Sequence, residues 1–418
     1  MSGLEITSVL VVLAATFMYV NVKYIKLPST IGLMLMACLL AATVLITGSI
    51  FPSFLTSAQA LVSELDFADI LLHIMLSFLL FAGAMQVNLS ILRKEMLSII
   101  VLASTGVLIS TAIIGFATYY ILPLIGVDLD LTYCLLFGAL ISPTDPIAVL
   151  AIMKQFKMDK NLETMIAGES LFNDGVGVVV FLTILNIATG GSAHGGEEIT
   201  ASSIAALFGQ EVIGGVGLGA LLGYLGFKLL DVIENEHVEL EVLVTLSLVM
   251  GGTVLAENLH FSAPLAMVVC GLFLSNQGRE DGKEEATGAY VYKFWHLMDE
   301  TLNAILFILI GLEMIIVPFS WDKLLAAVIA VLVVLGGRLM GVTIPVKLFL
   351  FRKKFNTGTL RVLTWGGLRG GISVALALSL PEFPFKDYVV AMTYVVVIFS
   401  ILVQGLTIPK LLERVNDK

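Results

Sequence analysis

The chain has 418 residues, of which 58% are hydrophobic and only 13% are charged, and its formal net charge is -10. A water-soluble domain of this composition would lack the charged surface that keeps a protein dissolved. The sequence contains no nucleotide-binding loop, zinc-ligand spacing or phosphate-binding glycine motif. We therefore predict a membrane protein with no enzymatic activity, no bound cofactor and no nucleic-acid partner.

About thirteen apolar stretches cover nearly the whole chain, and each can cross a lipid bilayer as a helix, which takes roughly 20 apolar residues. The predicted spans are 4–23, 30–48, 68–87, 96–122, 130–152, 161–190, 202–230, 238–257, 261–276, 289–317, 321–350, 358–381 and 386–410. Because no stretch remains for a large soluble domain, we expect an all-α polytopic membrane protein with one transmembrane domain over residues 1–418.

The basic residues predict the orientation in the membrane. With the N-terminus outside and the C-terminus cytoplasmic, all but four of the 23 lysines and arginines lie in cytoplasmic segments, as the positive-inside rule requires. The exceptions are Lys323 and Lys386, which lie outside, and Arg338 and Arg369, which lie within predicted spans. We expect a multi-pass protein of the cell (inner) membrane.

Charged residues near the centre of a predicted span are functional candidates, because a charge there costs about 2.5–3.5 kcal/mol. The central set is Asp145, Glu169, Asp174, Arg338 and Arg369. The alternative is that these residues form ion pairs that only hold helices together. Four other acidic residues lie nearer span ends, where a side chain reaches water more easily, and are weaker candidates. They are Glu257, Asp299, Glu300 and Glu313.

Two spans should be broken near their centres. Residues 142–146 read Ser-Pro-Thr-Asp-Pro, and two prolines three positions apart remove two backbone donors, so we expect a break around Thr144 and Asp145. Residues 366–371 read Gly-Gly-Leu-Arg-Gly-Gly, a second weak point around Arg369. Irregular backbone at membrane depth is tolerated where it lines a cavity, and its free carbonyls can bind a hard cation.

The two broken spans run in opposite directions through the membrane, which predicts two inverted six-helix repeats with crossed discontinuous helices. Such breaks in corresponding positions mark the midplane site of a transporter. Half-helix N-termini carry partial positive charge and C-termini partial negative charge. We expect Asp145 to neutralise the positive N-terminal ends and Arg369 to neutralise the negative C-terminal ends.

The sixth span carries a polar segment on two neighbouring helical stripes. Glu169 and Asn173 share one stripe, and Ser170 and Asp174 share the next. Arg338 in the eleventh span is the natural partner of Glu169. That pairing leaves Asp174 without a counter-ion, free to bind either a metal ion or a proton.

These motifs resemble a known family. Residues 142–146, residues 169–175 (Glu-Ser-Leu-Phe-Asn-Asp-Gly) and residues 367–370 (Gly-Leu-Arg-Gly) resemble the cation–proton antiporter superfamily, in its NhaP/NHE-type sodium/proton exchanger branch. The resemblance covers essentially the whole chain in length, span count and motif order. Transported Na+ and H+ would then be its small-molecule partners.

The resemblance also implies an architecture and an assembly. A mobile core of helices, roughly 96–190 and 321–410, would move like an elevator against a dimerisation panel, roughly 4–87 and 238–317. Residues 202–230 would form the linker helix. The protein would be a homodimer in the lipid bilayer.

The resemblance assigns roles to individual residues. It implies that Asp174 carries the ion, Na+ or Li+. Because either a cation or a proton neutralises this buried carboxylate, we expect the two to compete for it. The implied ion-binding set is Asp174, Asp145, Ser170, Thr144 and Asn173, with Glu169 and Arg338 as the supporting ion pair. An Asn-Asp pair in this branch goes with electroneutral exchange of one cation for one proton.

Three other functions compete with sodium/proton exchange. Potassium could replace sodium as the cation, because cavity size cannot be read from the sequence. A cation channel could use the same charges, although it should lack paired broken helices of opposite orientation. An intramembrane aspartyl protease could use Asp145 and Asp174, but the Gly-x-Gly-Asp pattern expected before such an aspartate is missing.

Overall fold

The computed structural model is built from helices and describes residues 3–63, 67–189, 201–233, 237–275, 288–317, 320–350, 355 and 357–416. The first half contains α1 (Gly3–Val20), α2 (Ser29–Ile50), α3 (Pro52–Ser63), α4 (Leu76–Gln86), α5 (Leu89–Val101), α6 (Val107–Ile121), α7 (Leu131–Ile141), α8 (Ile147–Gln155) and α9 (Lys160–Ala188). The second half contains α10 (Ala201–Val232), α11 (Val238–Asn258), α12 (Ala263–Leu274), α13 (Gly288–Glu313), α14 (Trp321–Phe349), α15 (Thr357–Trp365), α16 (Gly371–Leu378), α17 (Lys386–Ile398) and α18 (Gly405–Asn416).

Ten helical segments among the described residues are long and apolar enough to cross a membrane. The prediction of a helical polytopic fold is confirmed at this level, whereas the count of thirteen spans and the inverted repeats stay predictions. The predicted orientation used several basic residues that lie outside the described part of the chain. They are Arg279, Lys283, Arg352, Lys353, Lys354 and Lys418.

Two helices are interrupted at the proline and glycine motifs. Helix α7 ends at Ile141 and α8 begins at Ile147, so the break spans the segment with Pro143 and Pro146. Helix α15 ends at Trp365 and α16 begins at Gly371. Proline lacks a backbone donor and clashes with the preceding turn, and glycine gives the backbone freedom to leave the helix. Both breaks lie within the segments that the sequence predicted.

The two interrupted segments meet in space. Asp145 and Leu368 form an isolated antiparallel bridge, in which the Asp145 N–H donates to the Leu368 carbonyl at 2.8 Å. This pairing joins the centres of the α7–α8 and α15–α16 units. It therefore brings four half-helix ends to one point in the protein interior.

The buried apolar residues form two clusters, and the larger one includes Leu368 of the crossing. The larger one includes residues of α6, α7, α9, α14, α16 and α17. The smaller one is built around Trp295 of α13, whose ring centroid lies 4.6 Å from that of Phe81 and whose Nε1–H donates to Thr245 at 3.0 Å. The predicted division into core, panel and linker stays a prediction.

Glycines on one face of α10 allow it to approach α12 closely. A Cβ on Gly215 would lie 2.7 Å from the Ser262 carbonyl oxygen, and a Cβ on Gly219 would lie 2.9 Å from the Cα of Ala266. Gly217, two residues from Gly219 on the same helix, has no such neighbour within 4 Å. Small residues at a membrane helix interface let two backbones pack against each other.

Gly219→Ala should therefore destabilise the protein, whereas Gly217→Ala should not. Both changes raise helix propensity equally, so their difference isolates the packing clash. We expect a loss of about 1–3 kcal/mol for Gly219→Ala. Thermal unfolding of the two purified variants in detergent measures the difference. Equal melting temperatures would contradict the close contact between α10 and α12.

Candidate functional site

Arg369 lies at the crossing and satisfies the free end of a half-helix. Its side chain is only 2% exposed. Its Nη1 donates to the carbonyls of Ser142 at 2.6 Å and of Pro143 at 2.9 Å. These carbonyls follow α7, whose C-terminal end carries partial negative charge. The arginine therefore neutralises a helix C-terminus, which is the position that its sequence motif suggested.

Asp145 lies near the N-terminal ends of the two half-helices α8 and α16. Its Oδ1 accepts a hydrogen bond from the N–H of Ile147, in the first turn of α8, at 2.9 Å. A Cβ on Gly370 would lie only 2.6 Å from Oδ2 of Asp145, so glycine is needed for this close approach. Because Gly370 directly precedes α16, the carboxylate faces the N-terminal ends of two half-helices, where negative charge is stabilising.

A π-helical segment, Phe399–Gln404, makes hydrogen bonds to the backbone on both sides of the break between α15 and α16. The Ser400 hydroxyl accepts a hydrogen bond from the Arg369 N–H at 2.9 Å and donates to Gln404 at 2.7 Å. The Gln404 amide in turn donates to the Trp365 carbonyl, at the end of α15, at 3.0 Å. Sequence reasoning missed Ser400 and Gln404, whose signal was the presence of two polar residues four apart in an apolar span.

Glu169 and Arg338 form a buried bidentate ion pair. Arg338 Nη1 donates to Glu169 Oε1 at 2.5 Å, and Nη2 donates to Oε2 at 3.0 Å. The guanidinium also donates through Nε and Nη2 to the Leu363 carbonyl near the end of α15, at 3.2 and 2.9 Å. The pairing suggested for these two residues is present in the structure. Arg338 thus binds both a carboxylate and a half-helix end.

Ser170 and Asn173 of α9 hold the interrupted backbone at Thr144. Asn173 accepts a hydrogen bond from the Thr144 N–H at 3.1 Å and donates to the Thr144 hydroxyl at 2.8 Å. Ser170 Oγ donates to the Thr144 carbonyl. Both side chains are buried. The amide of Asn173 therefore replaces the helical hydrogen bonds that the break at Thr144 removes.

Asp174 is placed differently from the other central charges. It is 9% exposed, and no hydrogen bond or ion pair to its carboxylate is found among the described residues. It lines a cavity of about 620 Å³ together with Thr144, Asp145 and Ser170. Of the five predicted ion-binding residues, only Asn173 does not line this cavity. Asp174 is therefore the buried carboxylate that is open to a ligand.

The cavity runs from the crossing to one end of the helices. Its lining reaches Lys154 and Lys160, which are exposed at the end of α8 and the start of α9. The lining also includes residues of α4 and α13, among them Asp299. Sequence reasoning ranked Asp299 low because it lies toward the end of a predicted span. That Asp299 lines the same cavity as Asp174 could not be inferred from its predicted depth in the membrane alone.

Comparison with known proteins places the chain in a family. Residues 10–414 match the transmembrane sodium/hydrogen exchanger family. The chain belongs to this family. It is 48% identical to the Na(+)/H(+) antiporter NhaP of Pseudomonas aeruginosa, over 99% of this chain and 97% of that protein. It is 31% identical to the Na(+)/H(+) antiporter NhaH of Halobacillus aidingensis, over 94% and 93% of the two chains.

A solved structure has the same fold. The sodium proton antiporter MjNhaP1 from Methanocaldococcus jannaschii, at pH 8, superimposes with a TM-score of 0.73 at 20% identity, covering 98% of each chain. This exchanger-family member is therefore a multi-pass membrane protein of the NhaP-type branch, as the motifs suggested.

Glu169 and Arg338 should behave as one unit in a double-mutant cycle. Removing one partner leaves a buried charge uncompensated, which typically costs about 3–5 kcal/mol. Glu169→Gln and Arg338→Gln should each lower the melting temperature strongly, and the double variant should lose less than their sum. Thermal unfolding of the four purified proteins measures the coupling, and strictly additive losses would show that the pair is not coupled energetically.

Proposed function

We propose that this protein is a secondary active antiporter that exchanges Na+ or Li+ for H+ across the cell membrane, with both ions competing for Asp174. The observation that carries the proposal is the buried Asp174 carboxylate, which lines the central cavity and makes no hydrogen bond or ion pair in the described structure. The two curated relatives named above, both Na(+)/H(+) antiporters, support the choice of cargo.

Oxygen atoms suited to a hard cation surround Asp174. The Ser170 hydroxyl donates a hydrogen bond to the Thr144 carbonyl, so the lone pairs of its oxygen remain available for a ligand. Asp145 uses Oδ1 to cap α8, while Oδ2 remains for a second interaction. Together with the Asp174 carboxylate they offer the oxygen ligands that hard cations prefer. Asn173 does not line the cavity and instead holds Thr144 in position through two hydrogen bonds.

Competition at one carboxylate explains obligatory exchange. An isolated charge in an apolar interior is strongly unfavourable. Either a cation or a proton neutralises Asp174, so the loaded site can cross the apolar barrier while the empty, charged site cannot. A protonated carboxylate is a poor cation ligand, and a cation-bound carboxylate cannot hold the proton. Exchange without leak follows from these two exclusions.

The charges around Asp174 support a ratio of one cation to one proton. Glu169 is neutralised by Arg338, and Asp145 faces helix N-termini. Asn173 is an uncharged amide. Asp174 is then the group that changes its charge during the cycle, so each cation carried in one direction is replaced by one proton carried in the other.

The position of the cavity supports an elevator-like mechanism. One wall is formed by the crossing and α9, which belong to the predicted core, and the other by α4 and α13, which belong to the predicted panel. Movement of the first wall relative to the second would carry Asp174 toward the opposite membrane surface. We further propose a homodimer with the N-terminus outside and the C-terminus cytoplasmic, on the basis of the family resemblance and the positive-inside pattern.

Asp174→Asn should abolish exchange while the protein still inserts and folds. An amide cannot take up and release a proton near neutral pH. Cation-driven proton flux in proteoliposomes, with Na+, Li+ and K+ added in turn, measures this loss and the cation preference together. Glu413→Gln, an exposed acidic residue outside the cavity lining, serves as the control and should transport normally. Wild-type flux from Asp174→Asn would refute the role of Asp174.

Acidification should weaken cation binding without slowing the loaded carrier. Because protons and cations compete for one carboxylate, lowering the pH should raise the apparent Michaelis constant for the cation with little change in the maximal rate. An imposed membrane potential should not drive net exchange. Initial rates at several pH values, with and without a potassium diffusion potential, measure both effects. Cation affinity that is flat with pH, or flux that follows the voltage, would contradict single-site electroneutral exchange.

A further inference from the structure

A second polar cluster lies on α4 and α13, in the lining of the central cavity. The Asp299 carboxylate of α13 accepts a hydrogen bond from the Gln86 amide of α4 at 2.8 Å. It accepts another from the Asn303 amide, one turn along α13, also at 2.8 Å. All three residues line the cavity that contains Asp174. The two amides fix the carboxylate in position.

Two buried oxygens in the same lining have no hydrogen-bond partner. Asn303 is 4% exposed and its Oδ1 is unpartnered, since its amide nitrogen makes the bonds to Asp299. Ser373 of α16 is 1% exposed and its Oγ is also unpartnered. Buried polar atoms without partners are rare, because desolvation without a new hydrogen bond is unfavourable. Because both residues belong to the cavity lining, these unpartnered oxygens are the candidate contacts for a ligand or water bound there.

The charge of this cluster indicates the class of ligand. The hydrogen-bond partners of Asp299 are neutral amides, and no lysine or arginine forms an ion pair with it in the described part of the chain. The nearest titratable groups around Asp299 are Glu300 and His296 on its own helix and Asp145 across the cavity. The cluster therefore presents a fixed negative charge to the cavity, which attracts cations.

The set of ligands suits a monovalent cation. No group of three or more histidine, cysteine or acidic residues is positioned to hold a metal ion among the described residues. A divalent cation usually requires more carboxylates than the one that Asp299 supplies. One carboxylate with one amide oxygen, in a cavity large enough to retain water, fits a partly hydrated monovalent cation.

We propose that Asp299 and Asn303 form a second cation-binding site, with Gln86 as a positioning residue, where a monovalent cation is held before it reaches Asp174. This inference rests on the proposed function, because the site would take the same cargo. The site lies on the α4–α13 wall and Asp174 on the other. If the two walls move relative to each other, the second site serves only the membrane face to which the cavity opens.

Equilibrium binding of radioactive sodium to purified protein tests the site directly. Asp174→Asn protein should retain one weak saturable site. Asp174→Asn/Asp299→Asn should lose it, whereas Asp174→Asn/Glu300→Gln should keep it. Glu300 is the matched control, because it is an exposed carboxylate that lines the same cavity beside Asp299. Equal binding by the Asp299 and Glu300 double variants would overturn the proposal.

Transport sidedness separates a binding site from a structural role. In an otherwise wild-type protein, Asp299→Asn should raise the apparent Michaelis constant for Na+ by about tenfold at one membrane face, corresponding to about 1.4 kcal/mol of lost attraction. The maximal rate should be nearly unchanged. Everted and right-side-out vesicles distinguish the two faces. An equal rise at both faces, or no rise at either, would overturn the proposal.

Asn303→Ala tests the amide oxygen without changing any charge. We expect a smaller rise in the Michaelis constant at the same face, with Vmax nearly unchanged. A fall in Vmax or in melting temperature with an unchanged Michaelis constant would show that Asn303 is only structural. Failure of the proposed function would appear separately, as exchange that persists in Asp174→Asn.

Discussion

The unsatisfied backbone at the helix crossing is the constraint on which the rest of the site depends. A broken helix inside a membrane exposes carbonyls and N–H groups that water cannot reach. Here the carbonyls after α7 bind Arg369, and a carbonyl near the end of α15 binds Arg338. The N–H of Ile147 binds Asp145. Three of the five central charges, Arg369, Arg338 and Asp145, therefore compensate backbone ends, and removing any of them would leave buried backbone groups without a partner.

Because the other central charges are bound by backbone ends or by each other, one central carboxylate, that of Asp174, has no protein partner in the described structure. Arg338 needs Glu169 because a guanidinium buried against a carbonyl alone would keep its positive charge uncompensated. Asp145 is held by the N-terminus of α8 and lies close to that of α16. Asp174, on the same helix as Glu169 but on the next stripe, lines the cavity at the crossing and makes no hydrogen bond or ion pair there in the described structure. The other central charges are therefore bound within the scaffold, and Asp174 is the one whose carboxylate has no protein partner in the described structure.

The sequence predicts features that follow from local chemistry and from the energy of burial. Pro143, Pro146 and the glycines around Arg369 predict the breaks, and the cost of an unpaired charge predicts a partner for Glu169. Lateral neighbours are harder to predict, because periodicity gives the depth of a residue but not the helix that faces it. Gln86 and Asp299 lie 213 positions apart in the chain and meet only after folding.

A second cation site in the cavity lining would let a cation lose its water in steps on the way to Asp174. A cation that binds Asp174 must leave most of its water before it gains the protein ligands. A fixed carboxylate such as Asp299, with a free amide oxygen beside it, lets part of this dehydration occur while water still fills the cavity. It also raises the local cation concentration, as negatively charged clefts do. Because the Asp299 carboxylate already accepts hydrogen bonds from two amide donors, it attracts the cation without binding it tightly enough to compete with Asp174.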